Sequence, residues 1–395
     1  MISFVFTSGY FFGQNGFRLE TGSFPSVKIS RELPKNREDI DFSLFWRVWD
    51  TIEASYYDKS KINVSRMVYG AISGLTASLG DPYTAFLPPE ENKVIEEDLS
   101  GSFEGVGIQI GFKGKNLAVI APLPNSPAEK AGVKAGDFIV GITDLGKGID
   151  TGTAGITLSD AVKMIRGKSG TKVILFLVRD GAGEPLKTEI TRESLDVPSV
   201  TISFIEDNTI AHVKLLKFGA DTDVEWNSAV SSIINHQPSI IGIVLDLRNN
   251  PGGYLQGAVD IAGDFVEPGT VVVVEDKGDI KNDFKSERSG KLGKSKVVVL
   301  VNAGSASASE ILAGALREIK NYQLIGETTF GKGTIQEPLQ LEKGAGLHLT
   351  TAKWLTPRGV WVNEIGLKPD IEIVDNPETA EDEQLLEAIK TLSKN

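Results

Sequence analysis

The spacing of apolar residues changes along the chain, and each change marks a different kind of element. From Asp41 onward, Phe42, Phe45, Trp46, Trp49 and Ile52 recur at three- to four-residue steps, the period of one helix face. A second helical run covers Val64 to Leu79 and stops at Gly80-Asp81-Pro82, a strong helix-ending signal. Between 97 and 195 the texture turns to short strands and glycine turns, with "GVGIQIGF" alternating as a half-buried strand does. Within it, "TLSDAVKMIRG" sets Leu158, Ala161, Val162 and Ile165 on one helical face, with Thr157 or Ser159 placed to cap it. From about 196, strands and helices alternate as in an α/β layer domain. "IIGIVLDL" and "KVVVLV" are unbroken apolar runs, which suits central strands covered on both faces.

Polar stretches place the boundaries. Residues 20–40, with two prolines, read as a linker, and "NPETAEDEQ" reads as a spacer before a terminal helix. The opening "MISFVFTSGYFFGQNGF" is apolar for about a dozen residues, short of the roughly 20 that a helical span needs. No basic residue precedes it and no A-x-A site follows, so it is a poor signal peptide. It reads as the trailing part of a membrane anchor or as an exposed arm. The expected organisation is an arm and linker at 1–40, a helical region at 41–96, an inserted strand-rich domain at 97–195, an α/β core at 196–375, and a spacer and helix at 376–395.

Charge and composition narrow the function classes. With 41 basic and 53 acidic residues the net charge is −12, which disfavours a nucleic-acid partner, because phosphate binding needs a concentrated basic surface. The absence of cysteine excludes disulfides, thiolate metal sites and a thiol nucleophile. His212, His236 and His348 are scattered without H-x-x-x-H spacing, so a zinc site is disfavoured. None stands at a turn or strand end suited to catalysis, and no G-x-S-x-G elbow occurs.

In open α/β sheets ligands bind beyond the carboxyl ends of the strands, which brings Asn249–Gly253 and Gly304–Ser309 to one crevice. The second segment belongs to "VNAGSASASE". On a helix Ser305 and Ser309 would share a face and Ser307 would point roughly the other way. Ser307 with Glu310 also spells a capping box, so a plain helix cap is one reading. The other is a nucleophile, since a helix N-terminus offers free N–H groups and a positive dipole to an oxyanion. An attacking serine needs a base. Lys332, between Gly331 and Gly333, is either a solvated turn lysine or a buried amine neutral enough to serve.

Taken together, "LDLRNNPGG", "GSASASEI" and "GETTFGKGTIQ", in that order, resemble the carboxy-terminal processing (tail-specific) serine peptidases. The likeness runs from about Phe45 to about Ile373 and includes "LGDPYTAFLPPEE". It implies a ClpP/crotonase-like α/β protease core with a helical N-terminal region and an inserted PDZ domain. It further implies Ser307 as nucleophile, Lys332 as general base and Gln336 orienting the lysine. The implied oxyanion donors are the N–H groups of Ala308 and of Gly253 or Gly252, with Asp246 and Arg248 as structural support. No metal or cofactor is needed. If 332–336 were extended, Lys332 and Gln336 would start ~13 Å apart, so their cooperation calls for a bend there or for motion.

The inserted domain resembles a PDZ module in the permuted bacterial form, in which a peptide adds as a strand and a Gly-rich loop captures its carboxylate. Gly105, Val106, Gly107 and Ile108 would form that loop and strand, Leu158, Val162 and Ile165 the apolar walls, and Arg166 a gating residue. The implied partners are proteins with unstructured apolar C-terminal tails. Family relatives work outside the cytoplasm, often membrane-attached, and self-associate through terminal helices, which points to Phe42–Ile52 and the C-terminal helix as contact surfaces. The alternatives are a catalytically silent PDZ scaffold and an acyl-CoA enzyme with a similar oxyanion turn, the latter disfavoured by the PDZ signature.

Overall fold

The computed structural model describes residues 17–21, 27–31 and 41–394, apart from 114–115, 124, 135, 157, 180–183, 237–238 and 375–380. It separates into two compact units, Met1–Ile72 and Ser73–Asn395. In the first, strands Phe17–Thr21 and Val27–Arg31 pair antiparallel, the second within the residues 20–40 whose polarity and prolines predict a linker. Phe17, Leu19, Val27 and Ile29 carry a period-two alternation that the prolines obscure. The apolar residues 1–16, read above as an anchor remnant, lie outside the described residues. Helix Ser43–Ser55 forms where the periodicity places it, with Phe42, Leu44, Trp46 and Val48 exposed. Helix Val64–Ala77 follows, its first turn capped by Asn63 Oδ1 accepting the Arg66 N–H at 3.0 Å.

The second unit is built around two sheets and an inserted β-domain. Among the described residues the central sheet runs in the order Val200–Ile205, Ile210–Leu215, Gly242–Asp246, Val297–Val301, Gln323–Gly326, Ile371–Glu372. All neighbours are parallel except the first pair. Gly242–Asp246 and Val297–Val301 are buried along their whole length, as unbroken apolar runs require. One face of this sheet is covered by helices Leu255–Ala262 and Ala308–Lys320 and by Trp226, the other by helix Glu383–Lys394.

One face of that last helix packs on its own chain. Its Ala388 and Leu392 are buried against Val244, Val298, Leu300 and Ile325, and a Cβ at Gly242 would stand 2.7 Å from Leu392 Cδ2. Its start is held by Arg248, which bonds both Asp246 and Asp382 at 2.7–2.8 Å. The second sheet orders Lys281–Lys285, Val271–Asp276, Gly346–Leu355 and Thr334–Gln340, with the short strand Ala85–Leu87 added along Gly346–Leu355.

The inserted domain stacks Leu186–Thr191, Lys172–Val178, Phe138–Asp144, Asn116–Pro122 and Ile108–Lys113, leaving the last at an edge. Val173, Leu175 and Leu177 alternate into its core beside Ala161 and Ile165 of helix Leu158–Ile165. Arg192 is fully buried there and is neutralised by Asp144 at 2.7 Å. Thr157 lies outside the described residues, so its capping is not assigned.

Candidate active site

Strand Val297–Val301 leads through a short turn into helix Ala308–Lys320, whose N-cap is Ser307. The three serines of this turn do different things. Ser305 and Ser309 are fully buried. Ser305 Oγ donates to Leu247 O at 2.8 Å and accepts the Asn302 N–H at 3.0 Å, while Ser309 Oγ donates to Asn250 O at 2.8 Å. Ser309 fastens the turn to the N-N-P-G-G segment and Ser305 to Leu247 just before it. Ser307 faces a cavity instead, in a backbone conformation (φ 55°, ψ −116°) that side-chain-bearing residues rarely adopt. Such conformations cost on the order of 1–3 kcal/mol and persist only where surroundings enforce them. Sharp strand-to-helix turns of this kind expose a serine hydroxyl. Here the turn is reached without a G-x-S-x-G sequence.

Opposite Ser307 lies the turn Pro251–Gly253. A Cβ at Gly252 would stand 2.8 Å from Ser307 Cβ and 3.1 Å from Ala308 N, so only glycine leaves the Ala308 N–H open. Of the two glycine amides, Gly252 N–H is already donated to Asn250 Oδ1 at 2.9 Å. Gly253, at φ 135°, has no such partner among the described residues and lines the cavity with Ser307. A Cβ at Gly253 would lie 2.1 Å from Phe218 O.

Glu310 ties this turn to the lysine loop. Fully buried, its carboxylate accepts from four donors: Ser307 N–H (2.9 Å), Thr329 Oγ1 (2.6 Å), Gly331 N–H (2.8 Å) and Lys332 N–H (2.9 Å). The capping box is thus formed through the carboxylate. Ser307 Oγ sits against the Glu310 N–H in the capping manner but makes no hydrogen bond of full geometry. From the other side, Trp354 Nε1 donates to Lys332 O and Trp361 Nε1 to Gly333 O, both at 2.9 Å.

These segments enclose a cavity of about 340 Å³ lined by Ser307, Lys332, Gln336, Gly253, Tyr254, Ile311, Ile335, His348 and Trp354, with Ile95 and Leu99 of helix Pro89–Ser100. Lys332 Nζ makes no hydrogen bond or ion pair among the described residues; it lies 5.0 Å from the centre of the Tyr83 ring. Burial holds its pKa below the ordinary lysine value, against a smaller upward pull from Asp81. Gln336 lies on strand Thr334–Gln340, at a register shift between Ile335 and Gln336 of the kind that re-aims side chains. Its Nε2 donates to Thr334 Oγ1 (2.7 Å) and Thr350 Oγ1 (3.3 Å), not to the lysine. The chain bends at Gly331–Gly333, and from Thr334 on it is extended.

On the inserted domain, Val106, Gly107, Ile108, Val162 and Ile165 line a groove of about 170 Å³ between the edge strand and the helix, joined by Phe103, Ile110 and Arg166. Gly107 has φ 76°, and a Cβ there would lie 2.4 Å from Ser126 Cβ. Gly105 falls outside the groove: it ends strand Ser102–Gly105, which pairs with Glu193–Asp196. Leu158 opens the helix, and its side chain lies outside the described residues. The Arg166 guanidinium stacks on Phe103 at 4.8 Å.

A model of the peptidase family S41 matches residues 209–373, and a model of the PDZ domain matches 93–179. The chain is 39% identical over 335 residues to the carboxy-terminal processing protease CtpA of Bacillus subtilis, covering 85% of this chain and 69% of that protein. The chain belongs to the carboxy-terminal processing peptidases. CtpB of the same organism is 32% identical over 370 residues, with 93% and 74% covered. The solved photosystem II D1 C-terminal processing protease superposes on the peptidase with a TM-score of 0.54 at 31% identity, covering 88% of this chain and 95% of that one. A structure of an S41 protease from Bacteroides fragilis shares the fold, with a TM-score of 0.56 at 14% identity over 92% and 99% of the two chains. The peptidase is therefore a serine protease that carries a PDZ domain.

Two residues at or behind the peptidase's cavity escape a reading of the sequence. Glu310 is visible there only as half of a capping box, because its other donors come from a loop 19–22 residues on. His348 has no motif around it and reaches the cavity through strand pairing with Pro338. Burial, and then the Lys332 charge, push its imidazole below the usual histidine range.

Proposed function

We propose that the chain is an endopeptidase that cleaves proteins near their C-terminal tails, with Ser307 as nucleophile, Lys332 as general base and Gln336 as the group that orients the lysine. The observation that carries this reading is the arrangement around Ser307: its flanking serines are bound to backbone carbonyls, its hydroxyl is not, and a half-buried lysine without a hydrogen bond or ion pair among the described residues shares its cavity. Neutral Lys332 takes the proton from Ser307 Oγ as the oxygen attacks the scissile carbonyl. The N–H groups of Ala308 and Gly253 hold the tetrahedral oxyanion, and Gly252 keeps that space clear. Lys332 then protonates the leaving amine, and water hydrolyses the acyl-enzyme, the Ser-Lys variant of triad logic.

The PDZ groove receives the tail as an added strand along Ile108–Lys113, its terminal side chain between Val162 and Ile165. Helix Pro89–Ser100 supports coupling of groove and cavity. Its Glu91 pairs with Lys163 of the PDZ helix at 3.0 Å, while its Ile95 and Leu99 line the catalytic cavity. Arg166, in the groove wall, is the gating candidate. The exposed aromatic face of helix Ser43–Ser55 supports self-association, and the family supports action outside the cytoplasm. No helix of the described residues is long and apolar enough to cross a membrane, so a membrane attachment would rest on other residues.

The test is cleavage of a protein with an unstructured apolar tail. Ser307→Ala retains the fold and loses roughly a thousandfold or more in kcat. Wild-type kcat/KM rises with pH and levels off below the ordinary lysine value, because only the neutral amine accepts the proton. Equal cleavage by wild type and Ser307→Ala overturns the assignment.

A further inference from the structure

We propose that the turn Asp81–Thr84 is a positioning element of the catalytic machinery, Tyr83 seating the charge that Lys332 acquires and Asp81–Thr84 holding Gln336 through Thr350. This rests on the reading of Lys332 as the base. The turn precedes the PDZ domain in sequence and lies outside residues 93–179 and 209–373, so nothing in those segments predicts its presence at the site.

The geometry is a continuous set of contacts. Asp81 Oδ1 accepts the Tyr83 N–H at 3.0 Å, and Oδ2 accepts the Thr84 hydroxyl at 2.7 Å. Thr84 is 5% exposed, and its Oγ1 accepts the Thr350 N–H at 3.0 Å. Thr350 Oγ1 in turn accepts Gln336 Nε2 at 3.3 Å. The strand that follows, Ala85–Leu87, pairs with Gly346–Leu355, with Ala85 opposite the cavity residue His348. The turn is thereby locked to the strand that carries Thr350. The Tyr83 ring, 5.0 Å from Lys332 Nζ, is the contact that a cation forming there meets. An aromatic face attracts an ammonium, more strongly where water is excluded.

The consequence is kinetic. Lys332 is neutral before proton transfer and cationic after it, so a group that favours the ammonium favours the product side of that step. The groups that bear on Nζ are the Tyr83 ring, the Asp81 carboxylate and His348; Glu310 engages the lysine through its backbone N–H. Asp81 and Tyr83 favour the cation, and a charged His348 opposes it. Burial and then the Lys332 charge push the His348 imidazole down, which weakens that opposition.

The test is the pH dependence of kcat and KM on a tailed substrate, using the full chain. Asp81→Asn keeps a side chain able to hold the turn and removes its charge; the acid limb of kcat/KM moves to lower pH and the plateau falls. Tyr83→Leu lowers kcat about tenfold with KM within about twofold, and Tyr83→Phe, which keeps the ring, recovers most of the loss. Thermal melting run in parallel separates folding from positioning. An unmoved acid limb in Asp81→Asn, or losses in Tyr83→Leu that Tyr83→Phe does not recover, overturns the inference. Lys332→Met distinguishes the two layers. If it retains wild-type turnover, the base assignment itself fails; if it is inactive while the turn variants behave as wild type, only the role of the turn fails.

Discussion

At the scale of single residues, the site depends on Glu310 as much as on the groups that meet substrate. Four donors converge on one carboxylate, and two of them are the backbone amides of Ser307 and Lys332. Glu310→Gln replaces an acceptor oxygen with an NH2 group, leaving buried donors facing a donor, at about 1–3 kcal/mol for each group left unpaired. The expected outcome is a lower melting temperature together with a loss in kcat exceeding any change in KM, read by calorimetry and steady-state kinetics. The sequence presents Glu310 as a cap partner because the S-x-x-E spacing is local. Its other donors are not. The same reason leaves Ser307 undecided between cap and nucleophile on local grounds: the turn that sets its φ is held by Asn250 O, more than fifty residues upstream, through the Ala306 N–H and Ser309 Oγ.

Among elements, the strands were the easiest to read and the chain's edges the hardest. Unbroken apolar runs leave little alternative to the central strands Gly242–Asp246 and Val297–Val301. Helix Glu383–Lys394 reads as equally suited to a partner or to its own chain, because an amphipathic face does not say what covers it. Arg248 ties the start of the helix to its own chain by bonding Asp246 and Asp382 at once. Both carboxyls sit below the ordinary aspartate range, through hydrogen bonds from Arg248 working against their burial. Their contribution is therefore complete above that range and is lost as pH falls below it. Arg248→Met leaves the buried Asp246 carboxylate with His212 Nε2, 3.1 Å away, as its remaining side-chain partner, at a cost on the order of 3–5 kcal/mol. Urea titration at neutral pH measures the drop, and protease sensitivity near Asp382 should rise with it. The paired strands Phe17–Thr21 and Val27–Arg31 are obscured in the same way as the helix: prolines and polar residues around a short alternation mask its period.

For the whole molecule, activity and stability pull apart at one backbone angle. Ser307 holds φ 55°, a region that glycine enters freely and serine does not. Ser307→Gly, inactive, is expected to melt above Ser307→Ala, equally inactive, by a margin that differential scanning calorimetry resolves; the strain at stake is on the order of 1–3 kcal/mol. Gly252 and Gly253 have no comparable freedom, since any side chain there collides with Ser307, Ala308 or Phe218. The proposed nucleophile is thus a residue that drift would remove to the benefit of the fold. A lineage relieved of the need to cut tails would gain by losing it first, keeping a sound scaffold and an intact tail-binding groove behind a silenced turn.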